Sequence, residues 1–362
     1  MSGPRPTDPT APRAVELDPA RRDDGRRRRL EVSIARVPAM RGDVVAALGW
    51  AAEIGQSAPH PGSGGTLELW ELLASTAAAD VGVARVLEPH LDALSILAQA
   101  PDVVDLSRIG ADATSTWGVF AAEGPDTRLE AHESEDGWRL TGVKPWCSLA
   151  ATLSHALVTA WTEAGRRLFA VDLRAPGVVP DDGPWVARGF PEIVSAPVRF
   201  SGAVAVPVGG AGWYLDRTGF AWGGVGVAAC WWGGAVGLAR DLFASTRRRE
   251  PDQLTLAHLG ALDVALAGAR TLLVEASRTV DGAQGEDVPP GVLARRVRGS
   301  VARAVEEAVE RCSHALGPGP MTADETYARR LADLQLYVRQ HHAERDDAAL
   351  GRDLVARGSA PW

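Results

Sequence analysis

The segment Trp138–Leu153 (WRLTGVKPWCSLAATL) carries a concentration of side chains that can do chemistry, including Lys144, the single lysine of the chain. Trp146 and Ser148 stand two apart, which puts both side chains on one face of an extended segment. An indole plane beside a hydroxyl suits a flat, hydrogen-bonding ring such as an isoalloxazine: one group stacks and the other bonds a ring nitrogen or oxygen. The competing reading is a strand Trp that packs in a core. A second concentration is Arg339-Gln340-His341-His342-Ala343-Glu344. Imidazole accepts a proton near neutral pH, so His341 or His342 can serve as an acid or base, with the Glu344 carboxylate as the fallback. On a helix two adjacent histidines point about 100° apart, so one at most faces a site squarely. The alternative is a solvated helix face.

Other residue types set limits. Cys147, Cys230 and Cys312 are far apart and lack a metal-ligand spacing, so no metal site is expected, and free thiols in a reducing cytoplasm are. A net charge of −8 leaves no surplus of cations for general nucleic-acid binding. The stretch Thr218–Ala239 has 22 uncharged residues, the length of a membrane span, but seven are Gly. Gly233 and Gly237, four apart, allow close helix approach, so a buried bundle helix is expected there and no membrane anchor.

These side chains need elements to position them. Residues 1–30, rich in Pro, Asp and Arg and without an apolar stretch suited to secretion, read as a disordered tail. Residues 31–115 read as helical: Leu69, Leu72, Leu73 and Ala77 share a face, Thr66 can cap their helix, and Pro89 is expected to break the next. Over residues 116–210 the period changes. WGVFAAEG, TRLEAHE, WRLTGVKPW, HALVTAWT, RRLFAVDL and APVRFSGAVAVP alternate with polar turns about every ten residues, which predicts a small antiparallel barrel or sandwich. Residues 211–362 return to long helices, Gly219–Arg248, Asp252–Asp281, Val292–Leu316 and about Ala323 to Ala356, with a linker at 282–291. Four such helices predict an up-down bundle. The fold class is α+β in the order helical, β, helical.

That order and several motifs resemble the acyl-CoA dehydrogenase superfamily of flavoproteins, over about residues 40 to 356. Asp136-Gly137-Trp138-Arg139-Leu140-Thr141-Gly142-Val143-Lys144-Pro145-Trp146-Cys147-Ser148 is similar to the family's "dG(Y/W)-x-L-x-G-x-K-x-(W/F)-I-(T/S)" strand. Phe120-Ala121-Ala122-Glu123-Gly124 is similar to its preceding aromatic strand, and Ala196–Phe200 with Val204–Pro207 to the strand that closes its β-domain. The resemblance implies FAD, or FMN, held between β-domain and bundle. Trp146 would stack near the ring, Ser148 would bond it, and Ala121, Ala122 and Glu123 would border its polar edge.

Other family positions depart from the pattern. The Arg that reaches cofactor phosphate across a dimer interface has one of Arg247, Arg248 and Arg249 as its counterpart, and a Gln-x-x-Gly-Gly segment is replaced by His314 to Pro320, with Gly317 the matching glycine. The catalytic Glu of many members falls, by count, on His341. His at this place resembles flavin monooxygenases on the same fold. His90 and Tyr327 would lie near the substrate. The resemblance first implies α,β-dehydrogenation of an acyl thioester, possible as acyl-CoA, with an electron-transfer flavoprotein as acceptor. The alternative is a reduced-flavin monooxygenase served by a flavin reductase, and a third reading is a non-catalytic binding protein. A homodimer or homotetramer is expected in each case.

Overall fold

The computed structural model describes residues 12–21, 23–282, 288–358, 360 and 362. Its N-terminal helices are α1 (Asp24–Ile34), α2 (Val44–Gly55), α3 (Thr66–Ala79) and α4 (Val81–Ala98). Part of the segment expected as a tail is built into the core instead. Ala14, Val15 and Leu17 are buried, and the Val15 and Leu17 amides donate to Ser75 Oγ and Glu71 Oε1, both at 2.9 Å. Residues 1–11 of that tail, and 283–287 of the expected linker, lie outside the described residues.

Two local expectations change. Thr66 does not cap α3; a carboxylate from a distant helix end does so. Asp281 accepts from the Gly64 and Thr66 amides at 3.1 Å and from the Thr66 hydroxyl at 2.6 Å. Nor does Pro89 end a helix, because α4 runs through it. Proline removes one helical hydrogen bond, at a cost of about 3 kcal/mol, which the burial of Val86, Leu87, His90 and Leu91 around it offsets.

The middle region is β1 (Trp117–Phe120), β2 (Leu129–Ser134), β3 (Gly137–Ser148), β4 (His155–Thr162), β5 (Gly165–Asp172), β6 (Val178–Pro180) and β7 (Ser195–Val208). Each strand read from the sequence is present. The sheet is mixed, not wholly antiparallel: β4 pairs parallel with β1 and β2. Strands β4, β2, β3, β7 and β5 close on themselves, but the β2–β4 seam is a single pair, Glu130 with Trp161.

The C-terminal region comprises α5 (Trp213–Asp216), α6 (Thr218–Ser245), α7 (Gln253–Val280), α8 (Pro290–Leu316), α9 (Pro318–Ala323), α10 (Glu325–Tyr337) and α11 (Glu344–Ala356). The uncharged Gly-rich stretch is the centre of this bundle, packed against α3, α7, α8 and α10. A Cβ on Gly233 would sit 2.1 Å from Ala74 O, so α3 and α6 touch at backbone distance only because that residue is Gly. Among the described residues, the helix long and apolar enough to cross a membrane is a different one, α7, which leaves Leu254, Leu256 and Val264 exposed.

The expected last helix, 323–356, is interrupted. After α10 a 3-10 turn (Val338–Gln340) leads to His341 in extended backbone and Ala343 at φ 45°. His341 and His342 therefore sit in a bend, and the 100° helical argument does not apply to them.

Candidate active site

Lys144 anchors the β3 edge of a cleft. Its ammonium is buried and donates to Glu123 Oε1 at 2.7 Å and Thr159 Oγ1 at 2.9 Å. Burial pulls the Lys144 pKa down against the pull of Glu123. Burial also opposes the ionised Glu123, yet Lys144 and Arg166 hold its carboxyl below the usual range. With Lys144 pinned inward, the β3–β7 register slips between Lys144 and Cys147. Trp146 takes φ 59° there, a conformation that costs a bulky residue of order 1–3 kcal/mol. The bulge turns its indole outward, 62% exposed, into the cleft.

Ser148 lines the same space, so the paired side chains predicted from the sequence do share one cavity. Its hydroxyl accepts from Arg85 Nη2 at 3.1 Å and lies 2.7 Å from Ser195 Oγ. When Ser195 is the donor of that second bond, the Ser148 proton is free for a ring atom.

The cleft has two chambers. The inner, of about 270 Å³, is bounded by Trp146, Ser148, Ala121, Ala122, Trp117 and Arg85. The outer, of about 390 Å³, is bounded by His341, His342, Asp346, Arg298 and Gly223. Glu88, Asp92, Tyr214, Val227 and Gln340 belong to both.

Glu88 and Asp92, one turn apart on α4, are the acidic groups of this shared wall. Burial, then the neighbouring Asp92, raises the Glu88 pKa, while Arg85 and Arg298 lower it. Burial likewise raises Asp92, opposed by Arg217. Asp92 lies against α6 where Gly223 leaves room: a Cβ there would be 2.7 Å from Asp92 Oδ1. Arg298, stacked 4.7 Å over Trp231, donates to Gly224 O (2.7 Å) and Gln340 O (3.0 Å), and no carboxylate among the described residues lies within ion-pair distance of it.

Of the expected acid–base residues, His341 is buried and faces the outer chamber, its Nε2 3.8 Å from Asp346 Oδ2. Burial lowers its pKa against the effect of Asp346. His342 is 62% exposed at the chamber mouth. Glu344 opens α11, exposed and outside both chambers, because the chain bends before it.

Several other expected residues lie elsewhere. Glu123 binds Lys144, Arg166 and Trp161 behind the cleft wall instead of lining it. His90 is packed between α2 and β1: its Nδ1 accepts from the Trp117 amide at 3.2 Å, its Nε2 abuts Gly55, and burial pushes its pKa down to about 4. Its helical neighbours Glu88, Pro89 and Asp92 face the cleft in its place. Tyr327 is buried near Cys312 and Asp241, away from both chambers. Arg248, Arg249, His314 and Gly317 line neither chamber; they occupy the far ends of α6 and α8, with His314 6.0 Å from the His258 ring.

A polar clamp joins α10 to the segment before β7. Asp333 on α10 accepts from the Phe190 amide at 2.5 Å, and the adjacent Arg329 pairs with Glu192 at 2.5 Å. Burial pushes the Asp333 pKa up to about 7.

An exposed indole, a hydroxyl with a releasable proton and the main chain of Ala121–Ala122 around one chamber fit the ring of a flavin. The Glu88–Asp92 wall was missed in the sequence because it lies in a run whose acid spacing also fits a solvated helix face. The signal available was that Glu88 and Asp92 fall on the same turn as the buried stripe.

No family model and no curated protein matches the sequence. Solved structures do match across nearly the whole chain. Butyryl-CoA dehydrogenase from Megasphaera elsdenii superimposes with a TM-score of 0.76 at 15% identity, covering 92% of this chain and 99% of that one. KijD3, solved with FMN and dTDP-3-amino-2,3,6-trideoxy-4-keto-3-methyl-D-glucose, gives 0.73 at 20% identity over 91% and 92%. Nitrososynthase from Micromonospora carbonacea var. africana gives 0.72 at 19% over 95% and 99%. The chain has the acyl-CoA dehydrogenase-like fold.

Proposed function

We propose that the protein is a flavin-dependent oxygenase of a polar small molecule, working with reduced flavin and O₂, and not a dehydrogenase of acyl thioesters. The observation that carries this reading is the wall shared by both chambers. Glu88, Asp92 and Tyr214, with Arg298 beside them in the outer chamber, would face a substrate lying next to the ring. An aliphatic chain there would strip water from these charged groups and return no hydrogen bond, at a cost of several kcal/mol. A substrate with a protonated amine and hydroxyls meets them with charge-assisted bonds. KijD3, whose complex contains an amino sugar and FMN, offers a precedent on this fold.

When bound, the flavin supplies the two-electron redox chemistry with oxygen. The protein's own part is as follows. Trp146 offers a stacking plane for the ring, and Ser148, oriented by Arg85 and Ser195, offers a hydroxyl to its edge. Glu88, ionised, takes a proton from the substrate ammonium: the N–H bond breaks, an O–H bond forms on the carboxylate, and the lone pair stays on nitrogen. A neutral nitrogen is then nucleophilic. Arg298 draws Glu88 toward its ionised form, and His341 closes the outer chamber near Asp346.

The test is oxygen consumption by the purified chain with chemically reduced FMN or FAD and a panel of amino sugars, beside a panel of acyl-CoA thioesters added to the oxidised complex. Amine-dependent uptake of O₂ with a hydroxylated product is the expected result. Bleaching of bound flavin by an acyl-CoA would overturn it.

A further inference from the structure

Beyond the flavin cleft, about 24 Å along α6 at 1.5 Å per residue from Gly224 to Arg240, lies a second cavity of about 510 Å³. Five arginines from four segments line it: Arg13, Arg41, Arg240 with Arg247 at the end of α6, and Arg330. Its one lining carboxylate, Asp241, is already held by Arg330 at 2.5 Å, and Arg41 is held by Asp80 at 2.9 Å. The other three have no carboxylate within ion-pair distance among the described residues. Arg240 donates only to main-chain oxygens, Arg13 O at 2.8 Å and Ala14 O at 3.2 Å, and Arg247 lies 5.4 Å over the Phe243 ring.

Two further observations point to a ligand. Arg330 is 9% exposed and its Nε has no hydrogen-bond partner. It crosses α6 where Gly237 leaves a gap, since a Cβ there would be 2.6 Å from that Nε. Burial, then Arg13, Arg330 and Arg27, depresses the Arg240 pKa against the opposing pull of Asp241. Of the three arginines in the segment that resembles the family's phosphate-reaching one, Arg247 lines this cavity and Arg248 and Arg249 do not.

We propose that this cavity binds a phosphate-bearing small molecule, a phosphate or diphosphate ester of about nucleotide size. Guanidinium forks match phosphate oxygens bidentately, and the volume falls in the range of small-molecule sites, well beyond a bare inorganic ion. One wall is the N-terminal segment Pro12–Ala14, so the occupant joins that segment to α6 and α10. The inference is independent of the chemistry in the flavin cleft.

The test is isothermal titration of the full chain with inorganic pyrophosphate at fixed ionic strength, repeated with sulfate and with FAD present. Saturable binding at one site per chain is expected, weakened at least tenfold in Arg240→Gln and in Arg247→Gln. Arg247→Gln is the safer variant, since its side chain holds only the Phe243 ring and its unligated melting temperature should match the parent. Absence of saturable binding, equal affinity in Arg247→Gln, or sulfate binding as tightly would overturn the proposal. Displacement of pyrophosphate by FAD would assign the arginines to the cofactor and overturn it as a separate site.

Discussion

Arg85 and Glu88 stand three residues apart on α4 and divide the floor of the cleft between them. Arg85 reaches Ser148 Oγ at 3.1 Å on the β-domain side, while Glu88 borders both chambers. One helix thus orients the hydroxyl offered to the ring and presents the carboxylate offered to the substrate. Glu88→Gln keeps the shape and removes the proton acceptor. Its turnover should fall roughly 10²-fold, with the reduced-flavin dissociation constant changed less than twofold. Steady-state oxygen uptake beside a flavin titration measures both.

His341→Ala separates the two candidate bases. His341 borders only the outer chamber and is drawn toward Asp346 at 3.8 Å, so it closes a wall and does not take the proton. A rise in KM with turnover retained within about threefold is expected, the signature of lost ground-state binding. A loss as deep as that of Glu88→Gln would return the base to the histidine.

Trp146 can be removed with little harm to the fold, because 62% of it is already exposed and its φ of 59° is unfavourable for a bulky side chain. Trp146→Gly should bind flavin at least tenfold more weakly, the loss of a stacking plane, with an unfolding midpoint equal to or above the parent's. Flavin fluorescence and urea denaturation read the two effects separately.

The architecture was legible because its signals are local. Apolar patterning marked six of the seven strands of the β-domain, all but the three-residue β6, and the glycines of α6 announced a close helix contact that Gly233 makes against Ala74. The pairing of Trp146 with Ser148 followed from strand period alone, although a bulge produces it. What failed was non-local. The cap of α3 comes from Asp281, more than 200 residues away, and no reading around Thr66 could supply it. His90 drew notice through the family resemblance, yet a shift of two residues along α4 decides whether a side chain meets the cleft or is packed behind it. The break at 338–343 was hidden because no Pro or Gly marks it; Ala343 adopts φ 45° while its carbonyl accepts from the Asp346 and Asp347 amides and Asp346 Oδ2 accepts from the His342 amide, all at 3.0 Å.

The single lysine gives an asymmetric prediction. Lys144 is 1% exposed and Glu123 36%, and Glu123 also has Arg166 at 3.1 Å. Glu123→Ala leaves an ammonium buried beside only a threonine hydroxyl and should cost about 3–5 kcal/mol. Lys144→Met leaves a carboxylate that still has a guanidinium partner and partial access to water, so about 1–2 kcal/mol is expected. Equal losses in urea denaturation would mean that the two charges are not coupled as the geometry shows.

Glu88 also makes stability depend on pH, with a sign opposite to that of a salt-bridged carboxylate. Its pKa is pushed from 4.5 to about 7 by burial and by Asp92, against Arg85, Arg298 and the hydroxyl of Tyr337. Cys230 and Tyr214 face it as well, and burial keeps both protonated across this range. Between these values the folded chain holds the proton more tightly than the unfolded chain. The contribution is therefore complete below pH 4.5 and is lost as pH rises through 7. Glu88→Gln carries no such charge. Relative to the parent, it should gain about 2 kcal/mol of stability between pH 5 and pH 8. Urea denaturation at the two pH values measures the difference, and a gap that stays constant would show Glu88 ionised in the fold throughout.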